Sequence, residues 1–195
     1  WPVVFMAALL AGAIVVPLNA WWSGTELGYG ILDSGARFVF ADGERLAPRL
    51  KALGWHLQFY LDLPKMPEAE ARLARLPIDI VIDHFARCPA ADGIDAPAFQ
   101  ALRRLVQRDN CWAKIMGPYF VSKNAPLFAD VTPMARSLVA AAPDRIVWGT
   151  DWPHPGGRAL MPEDHVLADL LAQWVPDETQ RRKVLVENPA RLYGF

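Results

Sequence analysis

Arg145-Ile146-Val147-Trp148-Gly149-Thr150-Asp151-Trp152-Pro153-His154-Pro155 is the stretch whose reading decides the fold. Ile146, Val147 and Trp148 form a short apolar run of β-branched and aromatic residues, as in a strand buried on both faces, and Gly149 then opens a loop. A carboxylate and a histidine follow at once. In a (β/α)8 barrel the chemistry sits at the carboxyl ends of the strands, so Asp151 and His154 stand where catalysis would occur. The plainer alternative is that Asp151 caps the next helix or closes an Asx turn.

A second stretch has the same form. Ile78-Asp79-Ile80-Val81-Ile82-Asp83-His84-Phe85-Ala86-Arg87 reads as a buried strand ending in a histidine, with an arginine three residues on. Around these two, strands are expected over 55–61, 78–83, 111–116 and 145–149, and helices over 67–76, 96–107, 131–141, 162–174 and 176–187. The helix over 96–107 places Phe99, Leu102, Leu105 and Val106 on one face. That over 67–76 carries acidic residues early and arginines late, in agreement with the helix dipole. Four βα units make about half of the eight in a barrel of roughly 250 residues.

Composition limits the function classes. The 195 residues are 53% hydrophobic, enough for a real core, and the net charge of −1 supplies no long-range field for nucleic acid or an anionic membrane. The clusters Arg103, Arg104, Arg108 and Arg181, Arg182, Lys183 read as solvated helix faces. Cys88 and Cys111 are isolated, without CxxC or Cys/His spacing, which fits buried thiols in a cytoplasmic protein and neither a disulfide framework nor a structural zinc site.

The amino-terminal run from Trp1 to Leu18 contains only apolar residues, glycine and proline. Gly12 and Pro17 interrupt it and no basic flank precedes it. We therefore read a helix giving way to a strand, and neither a membrane span nor a secretory signal. With no starting methionine, the chain is expected to begin inside a longer element. Residues 7–42 read as helix, strand (12–19), helix opened by Ser23-Gly24-Thr25-Glu26, and a turn leading to a second strand (33–42).

Two family resemblances follow from these motifs. From about Leu50 to Phe195 the chain resembles the carboxyl-terminal half of the amidohydrolase-related proteins, in particular the branch similar to pyrone dicarboxylate lactonases. The residues that carry it are Gly54-Trp55-His56-Leu57-Gln58-Phe59-Tyr60, Ile82-Asp83-His84-Phe85-Ala86-Arg87, Trp112-Ala113-Lys114-Ile115-Met116-Gly117-Pro118-Tyr119, Gly149-Thr150-Asp151-Trp152-Pro153-His154 and Asn188-Pro189-Ala190-Arg191-Leu192-Tyr193-Gly194-Phe195. Residues 1–46, through Ala8-Leu9-Leu10-Ala11-Gly12-Ala13-Ile14-Val15-Val16-Pro17-Leu18-Asn19 and Asp33-Ser34-Gly35-Ala36-Arg37, resemble an amino-terminal piece of acyl-CoA synthetases and AMP-binding ligases. That piece lacks the ligase phosphate loop and lysine. The expected organisation is an α/β fragment over 1–46, a junction over 47–54, and an incomplete (β/α)8 TIM barrel over 55–195.

The first resemblance implies metal-independent hydrolysis of a lactone or related ester, with Asp151 as general base and His84 polarising the carbonyl. It further implies that Arg87 holds a substrate carboxylate, that Tyr60 supports it, and that His154 orients Asp151 or contacts substrate. No cofactor or metal is expected. Two departures weigh against a complete site: no His-x-His pair occurs, and Phe120 stands where relatives often carry an arginine. The alternative is a truncated or chimeric fragment without turnover. An open barrel edge would be closed by the amino-terminal piece or by a homodimer.

Overall fold

The structure, a computed structural model, describes residues 6, 8–10, 13–16, 24–35, 50, 51, 54–154 and 162–195. It divides into two units, Trp1–Trp55 and His56–Phe195. In the first, helix α1 (Gly24–Asp33) follows the Ser-Gly-Thr-Glu signal as expected, with Glu26 in its first turn. It ends in a turn at Ser34 and Gly35, where the Ser34 hydroxyl donates to the Ile31 carbonyl at 3.0 Å. The strand expected over 12–19 is not present in its described part. Residues 13–16 pair with no strand, and the Ala13 N–H turns back to the Ala8 carbonyl at 2.9 Å. The second strand, expected past the turn within 33–42, and most of the junction over 47–54 lie outside the described residues.

The second unit is built on a four-stranded parallel sheet: β1 (Leu57–Phe59), β2 (Ile80–Ile82), β3 (Cys111–Ile115) and β4 (Ile146–Trp148), in spatial order β1-β2-β3-β4. Strand order that follows chain order is barrel progression, since an open doubly wound sheet reverses direction at a switch point. The register pairs Phe59 with Ile82, Ile82 with Ala113 and Ala113 with Ile146, so all four carboxyl ends open on one side. Each strand is shorter than the run expected for it, because only part of that run finds partners on a neighbouring strand.

Helices fill the connections: α2 (Ala69–Leu73), α3 (Pro97–Val106), α4 (Thr132–Ala141) and α5 (Asp164–Trp174). Proline opens α3 and α4, where its missing N–H costs no intrahelical bond. On α3 the expected stripe is buried: Phe99, Leu102, Leu105 and Val106 all face the core. Among the described residues no helix is long and apolar enough to cross a membrane.

Alternation along the strands divides the sheet into two faces. Val81, Trp112 and Val147 pack together on one, with Leu192 of the carboxyl-terminal helix against them. That helix runs as α6 (Glu178–Arg182), a π turn (Lys183–Glu187) and α7 (Asn188–Tyr193). Pro189 has no N–H to return to Leu185, and the turn before it widens accordingly. Asn188 is the pin. Buried at 2% exposure, its amide donates to the carbonyls of Pro143 (2.9 Å) and Ile146 (2.7 Å), tying the helix to the start of β4.

Replacing Asn188 with alanine leaves one buried and one part-buried carbonyl without their donor. We expect Asn188→Ala to lower unfolding stability by about 1–3 kcal/mol, read as an earlier midpoint in urea. An unchanged midpoint would show that water serves those carbonyls equally well.

Candidate active site at the carboxyl ends of the strands

The end of β2 departs from ordinary backbone geometry. His84, Phe85, Ala86 and Arg87 have φ of 51°, 53°, 53° and 57°, four consecutive non-glycine residues in the left-handed region. Each costs roughly 1–2 kcal/mol against the right-handed alternative. The turn is held by its surroundings: Phe85 and Ala86 are fully buried, Phe85 meets Trp174 edge-on at 5.7 Å, and the Ala86 N–H bonds the Asp83 carbonyl at 2.9 Å. Strain of this kind gathers where a side chain must be aimed. Here it aims His84 at Asp151.

Asp83, just before the turn, is fixed from two neighbouring strands. Gln58 of β1 donates to its Oδ2 at 2.8 Å, and the Lys114 Nζ of β3 lies 3.4 Å from its Oδ1 and 3.1 Å from Gln58 Oε1. This polar triangle shares the sheet face of Val81 and Val147 by the period of two. Neither Lys114 nor Gln58 was singled out by sequence pattern, although a lysine and a glutamine inside short apolar strands were visible as exceptions.

At the end of β3, Gly117 adopts φ +58°, and a Cβ there would lie 2.7 Å from His84 Nδ1 and 2.8 Å from Phe120 Cδ2. Only glycine lets this loop approach the imidazole so closely. The short 3-10 turn Pro118–Phe120 then presents two aromatic rings. Phe120 lies 4.3 Å from the His84 ring, centroid to centroid, and Tyr119 turns its hydroxyl toward β4.

After β4, Asp151 (φ 71°) and His154 (φ 59°) bracket a tight turn closed by the His154 N–H on the Asp151 carbonyl at 2.7 Å. The side chains form a chain of contacts. Asp151 Oδ1 lies 3.7 Å from His84 Nε2, too long for a direct hydrogen bond and short enough for one oxygen atom to reach both. Asp151 Oδ2 accepts from the Tyr119 hydroxyl at 2.6 Å; that hydroxyl is 2.9 Å from His154 Nδ1, and His154 Nε2 is 3.0 Å from Asp164 Oδ1 at the start of α5. His84 and His154 are both buried, at 5% exposure.

Burial holds the His84 imidazole below its ordinary value, against the opposing pull of the Asp151 and Asp83 carboxylates. Burial also raises the Tyr119 phenol, helped by its hydrogen bond to Asp151 and the nearby negative charge of Asp151 and Asp164, so it stays a donor. Burial and the nearby carboxylates Asp62 and Asp92 push the Cys88 thiol up to about 12, in keeping with an unreactive core group.

The remaining expected residues form a cationic corner beside this centre. Arg87 bonds the Tyr60 hydroxyl through Nη1, and its guanidinium lies 5.3 Å from the Tyr60 ring and 5.8 Å from that of Phe120. Its Nε sits 3.9 Å from Asp62 Oδ2. The Tyr60 ring meets His84 edge-on at 5.4 Å. Thus Asp151, His84, Arg87 and Tyr60 come together at one end of the sheet. His154 reaches Asp151 through Tyr119, which sequence reasoning quoted within a motif and gave no role. Asp164 was missed because nothing in its local sequence ties it to His154.

Comparison with known proteins bears on the family and the fold. The amidohydrolase family profile matches residues 20–195. The chain belongs to the amidohydrolase family. That match crosses the expected junction and takes in residues 20–46, so the ligase resemblance of residues 1–46 finds no support in it. This amidohydrolase is 42% identical over 171 residues to a 4-sulfomuconolactone hydrolase of Hydrogenophaga intermedia, covering 87% of this chain and 54% of the relative. It is 36% identical over 157 residues to a 2-pyrone-4,6-dicarboxylate hydrolase of Comamonas testosteroni, covering 76% and 52%. The chain therefore spans about half the length of the curated relatives it matches. A crystal structure from Agrobacterium tumefaciens superposes with a TM-score of 0.75 at 30% identity, covering 93% of this chain and 68% of that one. Together with the parallel sheet, this establishes an incomplete TIM barrel.

Many amidohydrolases hold a divalent ion, and a zinc centre draws about three protein ligands. Among the described residues no three His, Cys, Asp or Glu side chains converge on such a point. His84 and Asp151 make a pair, and the second Asp151 oxygen is engaged with Tyr119. The described residues do not by themselves complete a metal centre.

Two outcomes follow. Gly117→Ala is expected to displace His84 and to destabilise the fold by about 1–3 kcal/mol, through a positive φ and a blocked contact; a urea midpoint and an imidazole spectrum matching the parent would contradict the close approach. Because the folded His84 value is depressed, the unfolded chain binds more protons below the ordinary value of 6.5. Stability should fall as pH drops below 6.5, with the loss complete once folded His84 is itself protonated. His56 is depressed as well, again chiefly by burial, so His84→Asn should flatten this dependence only in part. Denaturant titrations across that window would reveal it.

Proposed function

We propose that this chain carries the base-bearing half of a metal-independent hydrolase that opens a lactone or related ester of an anionic small molecule. The observation that carries the reading is the facing pair of Asp151 Oδ1 and His84 Nε2, 3.7 Å apart at the carboxyl ends of β4 and β2, which flank β3 in the sheet. Asp151 takes a proton from water as the water oxygen adds to the lactone carbonyl. His84, in its Nε2–H form, donates to the oxygen on which charge develops. The ring C–O bond then breaks, and the proton held by Asp151 passes to the departing ring oxygen. Water is consumed and a ring-opened hydroxy acid results. A neutral His84 suits this task, since it adds a hydrogen-bond donor without neutralising the neighbouring base.

Arg87 supports an anionic substrate. Its guanidinium stands beside Tyr60 and Phe120 on the same side of the sheet, and two similar proteins carry names that combine a lactone or pyrone with a sulfo or dicarboxylate group. Planar two-point hydrogen bonding makes arginine the natural anchor for such a group.

The test is turnover of anionic lactones by this chain. Asp151→Asn is expected to lower kcat/KM by about 100-fold to 10,000-fold. Arg87→Ala is expected to raise KM about tenfold or more with a smaller change in kcat. Equal background rates for the parent and Asp151→Asn would sink the reading and leave the alternative, a fragment without turnover.

A further inference from the structure

The Tyr119 hydroxyl has one hydrogen and two claimants. Asp151 Oδ2 lies 2.6 Å away and His154 Nδ1 2.9 Å away. An ionised carboxylate has no hydrogen to give, so Tyr119 must donate to Asp151 and can only accept from His154. Nδ1 therefore brings its own hydrogen. On the far side of the ring, Nε2 is 3.0 Å from Asp164 Oδ1, again an acceptor when ionised. With both carboxylates ionised, the only assignment that satisfies every contact has His154 donating from both nitrogens. If Nδ1 loses its hydrogen, the phenol rotates toward the bare nitrogen and Asp151 Oδ2 is left without a donor.

We infer that Tyr119 is a positioning residue whose hydroxyl direction, set by a doubly protonated His154 held against Asp164, fixes the carboxylate of Asp151. This rests on the reading of Asp151 as the base. With Oδ2 committed to Tyr119, Oδ1 is the oxygen turned to His84 and to the reacting water. Among the described residues, the charged and titratable groups facing this chain are Asp151 and His84 at the strand ends, Tyr119 after β3, and Asp164 on α5. Asp164 is half exposed, with 48% of its side chain accessible, so the outer end of the chain meets solvent while His154 itself is buried.

The test reads the ring directly. Side-chain 15N NMR of histidine-labelled protein at about pH 7, with His154 assigned through His154→Gln, should show hydrogens on both of its nitrogens. In Asp164→Asn, a surface change expected to fold, the same ring should carry one hydrogen. With an anionic lactone, Tyr119→Phe should lower kcat by about 10- to 100-fold with KM nearly unchanged. A singly protonated His154 in the parent overturns the inference. So does Tyr119→Phe with the parent's kcat. Parent-like activity in Asp151→Asn would instead remove the base assignment while leaving the NMR result on His154 to stand.

Discussion

A parallel strand covered on both faces has no room for an unpaired polar side chain, and the rest of this protein depends on that constraint. β2 is buried along its whole length and β4 nearly so. Their polar neighbours are accordingly placed beyond the last paired residue, where the backbone leaves the sheet: Asp83 and His84 after β2, Asp151 after β4. Since all strands run in one direction, these ends collect on one side. The grouping of these polar side chains is thus a consequence of burial before it is a consequence of chemistry.

Collecting side chains at one end does not aim them. Aim comes from backbone forced into the left-handed region at His84–Arg87, Asp151 and His154, none of which is glycine. Such conformations persist only where their surroundings over-determine them. Phe85 supplies that for the β2 turn, a fully buried ring against Trp174, and its burial of roughly 2–3 kcal/mol is comparable with the backbone cost of one or two left-handed residues. The approach of Gly117 to the His84 ring closes the other side. The imidazole is confined by packing, with Phe120 and Tyr60 as two of its walls.

Two polar networks use this scaffold differently. Gln58, Asp83 and Lys114 link three adjacent strands, and the charges are matched within the triangle, so it locks the β2 turn in place. The series Asp151, Tyr119, His154 and Asp164 instead runs from the barrel mouth outward to solvent, and its hydrogens are shared between groups that compete for them. The first network is suited to rigidity and the second to fixing the direction of one carboxylate.

Periodicity and apolar runs were enough to place all four strands and the long helices, to pick Phe99, Leu102, Leu105 and Val106 as a buried face, and to mark Asp151 and His84 as strand-end groups. Those properties are local: each depends on residues within a turn or two, which the sequence displays directly. The strand expected over residues 12–19 failed in its described part for the complementary reason, since a strand exists only where a partner meets it. Tyr119 and Asp151 are 32 positions apart, and their contact required left-handed turns at residues whose types advertise no such geometry. Sequence by itself determined the barrel progression, the family and the side on which chemistry gathers. Tertiary structure alone decided which oxygen of Asp151 faces His84 and which is held by Tyr119, because that choice is made by the meeting of two distant loops.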